Sequence, residues 1–408
     1  MGGGAAGVAA AVAAGRAGAK VVLLERYGFL GGLATAAQVG TVCGLYLRES
    51  ARPEATPLAG GFLAEFAQRL EQRSGLKPLR LPDGLWVLPF RTPVFASVAD
   101  SLLRETENIT LILHATLAGV GVEAARFTRA RALAWNAPLE VRPTCVVDCS
   151  GEATAAALAG APTEPGAADQ VPSLVFSLAD LSPDFQERGW LEVRRELRRG
   201  VVEGRLPALC ERLSLIPGAG AEGSTSLKLH LLPASPAAPD WQQVTDWERE
   251  ARQAVDTLLQ FLAANTSSAR QARLSSVAPQ LGTRSGRRIQ GRGTLTDEEV
   301  LGARKSAQGV ARGSWPMERW GRAARPTLAF FPEGDYYEIP LDALRPTFLD
   351  NVLVAGRCFS ATAGAMSSAR VIGSALGTGW AAGTAAAFQA LGRPEEEAVA
   401  TLRHQNQR

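Results

Sequence analysis

Met1-Gly-Gly-Gly-Ala-Ala-Gly7-Val-Ala-Ala-Ala11, an Ala-rich run, and then Lys20-Val-Val-Leu-Leu-Glu25 form the stretch whose reading decides the fold. Gly2, Gly4 and Gly7 make G-x-G-x-x-G, and Ala11 follows four residues later. Gly2 permits a tight turn, and Gly4 lets a pyrophosphate approach the backbone. Gly7 and Ala11 let the next helix pack close to a sheet. The start of that helix offers free N–H groups and a positive dipole end to a diphosphate. Val21 to Leu24 read as a short buried parallel strand. Glu25, 18 residues after Gly7, stands where a carboxylate accepts hydrogen bonds from ribose hydroxyls. A lone G-x-G-x-x-G arises by chance in an Ala/Gly-rich chain; here helix, strand and acid follow it in order. Such a fingerprint also follows a strand, the central one of its sheet. The expectation is that several more apolar residues lie upstream, and that a chain extended there binds its dinucleotide more tightly and melts higher.

The bulk numbers are those of an ordinary globular protein. Of 408 residues, 46% are hydrophobic and 20% charged, enough for a large core and two domains. A net charge of +3 is too small to imply a nucleic-acid partner. Lysine occurs only as Lys20, Lys77, Lys228 and Lys305, so arginine clusters partly reflect composition. The five cysteines show no C-x-x-C spacing, which favours reduced, buried thiols in a cytoplasmic protein over a disulfide, zinc or iron–sulfur framework. Cys145 and Cys149 are expected about 13 Å apart along one strand, too far to bridge. Val371 to Gly392 carries no charge. It is built of small residues, though, and reads as a tightly packed internal helix, not a membrane span.

Along the chain, Gly31-Gly32-Leu-Ala-Thr35 follows the acid; a second close pass along a diphosphate and a plain loop both stay open. Helices are expected from Gly61 and from Thr92-Pro93, with a hairpin within 74–91 and a meander over 117–141. His114 reads as an ordinary strand-end residue. Cys145-Val-Val-Asp148-Cys-Ser150-Gly151-Glu152 is strand, turn and helix again, with Ser150 and Gly151 at a turn where ligands bind. Pro233 to Pro239 reads as a turn, and Val244 to Ala264 as a long helix with Trp247, Ala251, Val255, Leu258 and Leu262 inward. Gly282-Thr-Arg284-Ser-Gly-Arg287-Arg288 is either a solvated basic turn or an anion clamp built on Arg284 and Arg287. Asn351 to Ala355 is a buried strand ending in Gly356-Arg357, and a helix starting near Ser367 would aim its positive end at a ligand there. The expected fold is α/β. Residues 1–165 form a Rossmann-like dinucleotide domain interrupted at 47–91, residues 166–330 an inserted mixed α+β cap for substrate, and residues 331–408 the return.

Together these motifs resemble the FAD-dependent oxidoreductases of the glutathione-reductase-like superfamily. More narrowly they resemble the bacterial family related to the flavin domain of heterodisulfide reductase. The resemblance implies noncovalent FAD, with Gly2, Gly4 and Gly7 at the diphosphate and Glu25, with Arg26 beside it, at the adenosine ribose. Gly31, Gly32 and Thr35 would flank the diphosphate and ribityl chain, and the backbone near Leu117 would meet the adenine. Ser150 and Gly151 would close over the adenosine end. Gly356, Arg357 and Ser367 would face the ribityl chain and flavin. Arg357 stands where the wider superfamily usually has an acid, and Glu152 where Asp is usual. The implied function is hydride or electron exchange between FAD and a small, anionic organic substrate. The alternative is an electron-transfer protein serving an iron–sulfur partner protein.

Overall fold

Val21–Leu24 is strand because its aliphatic side chains, β-branched at Val21 and Val22, suit a pleated surface. Only Leu23 and Leu24 are buried and Val22 is exposed, so the strand is less buried than expected. It pairs in parallel with Ile109–Ile112, Val21 opposite Ile109. A second parallel pair joins Val146–Asp148 to Val352–Val354. Met1 and Gly2 lie between the two pairs. The Met1 amino group donates to the Val147 carbonyl at 2.9 Å, the Cys149 N–H donates to the Met1 carbonyl at 2.8 Å, and the Gly2 N–H donates to the Leu24 carbonyl at 2.8 Å. The computed structural model describes the chain except residues 168–169, 220–222, 233–239, 321–325 and 408; the expected Pro233 to Pro239 turn lies outside the described residues.

The helix Ala5–Arg16 is buried along almost its whole length and packs on the small-residue helix Ile372–Ala390. Neither helix presents bulk at the contact, so the backbones approach closely: a Cβ on Gly379 would lie 2.1 Å from the Ala6 carbonyl oxygen, and one on Gly383 2.2 Å from that of Ala10. No described helix is long and apolar enough to cross a membrane. Gly61–Ser74 buries Phe62, Leu63, Phe66 and Leu70, the stripe its 3.6-residue period predicts. Thr92–Arg104 begins with Pro93 in its first turn. Leu79–Arg80 and Trp86–Pro89 form the expected hairpin, extended by Thr41–Cys43. Ala115–Glu123, Arg126–Ala134 and Ala137–Val141 form the antiparallel meander. All five cysteines are free.

A separate core gathers Leu174, Phe176, Leu227, Leu229, Leu258 and Leu262. It lies beneath a four-stranded antiparallel sheet in which Ser224–His230 and Ser173–Ala179 are central, flanked by Leu213–Leu215 and Arg273–Val277. The helix Trp241–Asn265 starts on an Asp240 cap that accepts from the Gln243 N–H at 2.8 Å. Its buried stripe is wider than its spacing suggests, adding Ala254 and Phe261, while Trp247 is only partly buried. Leu295, Val300, Val310 and Met317 belong instead to the core around the Ala5–Arg16 helix.

The helix expected to start near Ser367 starts earlier. It spans Ala363–Ala369 behind a Thr362 cap, and the Asp297 carboxylate already accepts from the Ala365 N–H at 2.8 Å. Ser367 is therefore past the helix start, and its buried hydroxyl donates to the Gly364 carbonyl at 2.6 Å. The sequence misleads here because Thr362 caps the helix from a run of Ala, Gly and Ser that offers no sharper signal.

Candidate functional site

The first glycine loop folds onto itself. Gly2 has φ +88°, and a Cβ on Gly7 would sit 1.7 Å from the Gly2 carbonyl oxygen, so Gly7 is fixed by its own loop as well as by the sheet beneath. The loop then crosses the double glycine. The Gly31 N–H donates to the Gly3 carbonyl at 2.8 Å, and a Cβ on Gly32 would lie 2.8 Å from the Gly4 Cα. Gly32 also has φ +56°, a conformation other residues rarely adopt. The double-glycine loop therefore packs against the first glycine loop. Gly4 caps the Ala5–Arg16 helix without a side-chain acceptor, and its first turn holds no acid, so the amides at this end retain capacity for an anion.

Glu25 is buried beside the crossing. It accepts from the Gly3 N–H at 2.5 Å and the Tyr27 N–H at 2.8 Å, one bond per oxygen, which leaves each with a lone pair for a further donor. Arg26 turns to the surface and stacks over the Tyr27 ring, 4.7 Å from its centroid. Thr35 is buried; its hydroxyl donates to the Leu30 carbonyl at 2.8 Å and braces the double-glycine loop. Leu117 lies on the meander strand whose Ala115 N–H donates to the Glu25 carbonyl at 2.8 Å. His114 is exposed at the strand end, its ring 5.0 Å from that of Trp135.

The third turn closes on the same helix start, with the Ser150 Cα 3.1 Å from the Gly2 Cβ position. Buried Asp148 organises it, accepting from the Ser150 N–H at 2.9 Å and the Ala156 N–H at 3.0 Å, while the Ser150 hydroxyl accepts from the Thr154 N–H at 2.9 Å. Gly151, with φ +78°, admits the Arg357 guanidinium 3.0 Å from its Cβ position. Arg357 pairs with Glu152 at 3.1 Å and donates to the Thr283 hydroxyl at 2.9 Å. The two departures from the familial pattern, Glu152 and Arg357, thus answer each other. Gly356, with φ +83°, donates its N–H to the Thr378 hydroxyl at 3.1 Å. Gly2, Gly4, Gly7, Glu25, Gly31, Gly32, Ser150, Gly151, Gly356 and Arg357 therefore surround one helix end.

Arg284 and Arg287 do not share a face. Arg287 is exposed, whereas Arg284 turns inward, donates to His230 Nδ1 at 2.9 Å and to the Val171 carbonyl, and lies over Trp320, 4.4 Å from the ring centroid. A guanidinium bound to Nδ1 fixes the tautomer, so Nε2 carries the proton to the Ser214 hydroxyl 3.0 Å away. Burial, reinforced by Arg284, pushes His230 well below its ordinary value and keeps it neutral. Burial also pushes Arg284 down to about 9.

Around Arg284 stand residues that sequence reading missed. Glu318 pairs with Arg370 at 2.7 Å and accepts from the indole N–H groups of Trp315 at 2.8 Å and Trp320 at 3.1 Å. Its backbone N–H donates to the Ser367 hydroxyl at 3.0 Å. Burial alone would raise the Glu318 carboxyl, but Arg370, Arg284 and the two indoles outweigh it and hold it below the usual range. Lys228 is pushed down to about 8, first by burial and then by Arg284. Cys43 is pushed up to about 12 by burial, so it stays a thiol near neutral pH. One signal was available: in Ser224–His230, Leu227 and Leu229 share one face and Lys228 and His230 the other, an unusual pattern for a strand this buried.

No curated protein matches the chain. Among solved structures, a flavin-dependent brominase triple mutant is 12% identical over 99% of this chain and 82% of that one, with a TM-score of 0.50. A geranylgeranyl bacteriochlorophyll reductase-like protein from Thermoplasma acidophilum is 12% identical over 99% and 81%, with a TM-score of 0.47. An anhydrotetracycline hydroxylase from Streptomyces rimosus is 13% identical over 98% and 64%, with a TM-score of 0.47. Likeness at these identities speaks to fold alone. A family model described as FAD dependent oxidoreductase matches residues 1–404, so the chain belongs to that family, is an enzyme and uses FAD as its cofactor.

Proposed function

We propose that the chain exchanges a hydride or electrons between noncovalently held FAD and a small organic substrate. The observation that carries this reading is the crossing of the two glycine loops at an uncapped helix end, with the Glu25 carboxylate beside it. The donor set fits the cofactor: Gly4, Gly31 and Gly32 would line the diphosphate, Glu25 the ribose, and the Leu117 backbone the adenine. Gly2 and Gly7 would shape the turn that holds the diphosphate, and Ser150 and Gly151 would close over the adenosine end. Gly356 and Arg357 would face the ribityl side, and Thr35 and Ser367 would act by bracing loops. FAD, when bound, supplies the redox chemistry; the chain supplies orientation and charge.

In this reading residues 1–165, with the insertion at 47–91, and the C-terminal part hold FAD, and the part beginning near 166 receives substrate. That part's core members run from Leu174 to Leu281, while Leu295 onward packs with the FAD-binding core. This supports a return earlier than residue 331. The motif resemblance to the flavin domain of heterodisulfide reductase still suggests the electron-transfer alternative. The inward-facing Lys228, Arg284 and Arg370 favour a small molecule over a docked iron–sulfur protein.

Purified protein is expected to contain about one FAD per chain, and acid precipitation should leave the yellow colour in the supernatant. Colour held in the pellet would mean covalent attachment. Glu25→Ala should weaken FAD binding by about 1.5–3 kcal/mol, the range for hydrogen bonds to a charged group. A dissociation constant equal to that of the parent, measured by fluorescence of released flavin, would remove Glu25 from the ribose.

A further inference from the structure

Lys228, Arg284 and Arg370 come from three elements. Lys228 lies on the Ser224–His230 strand, Arg284 on the segment after the Arg273–Val277 strand, and Arg370 at the end of the Ala363–Ala369 helix. Arg284 reaches His230, which shares a strand face with Lys228 two residues away, and lies over Trp320, whose indole N–H donates to the Glu318 carboxylate that pairs with Arg370. The charged groups coupled to Lys228 are Arg284, Glu318 and Arg370, with the Cys43 thiol beside them. Among the described residues, one carboxylate, that of Glu318, thus faces these three cations.

Their donors are not used up. Among the described residues no hydrogen bond or ion pair involves the Lys228 ammonium, and the buried Arg370 Nε has no partner. Arg284 spends its guanidinium on a neutral imidazole and a carbonyl, so among the described residues it makes no ion pair of its own and shares the Glu318 charge with Arg370. Trp320 lies 4.2 Å from the His230 ring and 4.4 Å from the Arg284 guanidinium, centroid to group, and fixes both. Burying like charges in this way costs stability unless an anion joins them. A fixed guanidinium fork beside an ammonium suits the two oxygens of a carboxylate.

We propose that Lys228 and Arg284, supported by Arg370, bind the carboxylate of a small organic acid, the substrate class of this oxidoreductase. This deepens the hydride-exchange reading and rests on it for the word substrate. His230 is a positioning residue, because it holds Arg284 and stays neutral.

The test is calorimetric titration of FAD-containing protein with benzoate and succinate, with benzamide as the uncharged control. Both acids should bind and benzamide should not. Lys228→Met should weaken both acids about tenfold or more, and Arg284→Lys, which keeps the charge but loses the fork, should do so to a similar degree. Affinity in the parent should fall as pH rises through about 8, where Lys228 discharges. The profile is read up to about pH 8, because Arg284, pushed down to about 9, begins to discharge above it. Over that range Glu318 stays ionised, Cys43 a thiol and His230 neutral, so Lys228→Met should flatten the fall, and a merely structural lysine would not shape this profile. Flavin content and melting temperature report folding, and a variant that loses either is replaced by Lys228→Gln. Binding of benzamide as strong as benzoate, binding of inorganic phosphate in preference to both acids, or variants within about twofold of the parent would each overturn the proposal. Carboxylate binding by a chain that carries no flavin would instead defeat the redox reading and leave the anion site standing.

Discussion

Gly379→Ala and Gly377→Ala, two residues apart on one helix, are expected to have opposite outcomes. A Cβ at Gly377 meets only the Ala311 Cβ at 3.6 Å and the Leu63 side chain at 3.9 Å, ordinary contact. Alanine there should be neutral or stabilising by up to about 1 kcal/mol, because it restricts the unfolded chain and favours helix. A Cβ at Gly379 lies 2.1 Å from the Ala6 carbonyl oxygen and 2.7 Å from the Ala6 Cα. Those atoms are backbone and cannot rotate aside, so the Ala5–Arg16 helix must move. Gly383, one turn on, meets Ala10 in the same way. Each substitution should cost about 3 kcal/mol or more, the upper range for overpacking. The double variant Gly379→Ala, Gly383→Ala should exhaust most of a typical stability of about 5–15 kcal/mol. Function should fail before folding does: the moving helix carries Gly4, and Gly4 must meet Gly32. Gly379→Ala should therefore lose FAD on a desalting column while far-UV circular dichroism is still near native. A variant that keeps both its flavin and the parent melting temperature would refute the backbone-to-backbone packing.

The same contact explains what could be read from the sequence. The glycine fingerprint, Glu25 and the Ser150–Gly151 turn are local arrangements. Their spacing is set by one turn of chain and one helix start, so residue order alone carries them. The small-residue helix is legible because a long uncharged run poor in Leu, Ile and Phe has few other uses. The loop at Gly31 is ambiguous in sequence because its purpose lies in the crossing with Gly4, a contact between distant segments. The charged cluster has no linear signature at all. Arg284 and Arg287 look like a pair by helical spacing, but residues 278–287 are not helical, and that spacing is meaningless in irregular backbone. Arg284's neighbours lie some fifty residues before it at His230 and beyond it at Glu318 and Arg370. Ser367 resembles a helix start because its serines look like caps, whereas the capping hydroxyl belongs to Thr362.

Glu318→Gln is expected to be among the most destabilising near-isosteric substitutions in the chain, costing about 3–5 kcal/mol, because it removes one partner of a buried ion pair. Arg370 loses its 2.7 Å partner and the indoles of Trp315 and Trp320 lose a charged acceptor, while Arg284 and Lys228 lose their nearby counter-charge. The sign with pH follows from the direction of the shift. The folded-state pKa of Glu318 is depressed, so its contribution is present above the ordinary carboxyl value and fades as pH falls through the lower, folded value. The gap between parent and variant in urea denaturation should therefore be widest near neutrality and close on strong acidification. Lys228 has the same sign with pH, but through relief of a penalty. Its folded pKa of about 8 lies below its ordinary 10.5, so this group adds stability as pH rises from about 8 towards that ordinary value. Without Glu318 the lysine discharges more readily, and raising the pH from 7 to 9 should recover part of the loss. Lys228→Met placed on Glu318→Gln should recover about 1 kcal/mol or more, and should gain less in the parent, because contacting charges are not additive. A Glu318→Gln variant within about 1 kcal/mol of the parent, with no rescue by Lys228→Met, would mean that the cations are already neutralised by something other than Glu318.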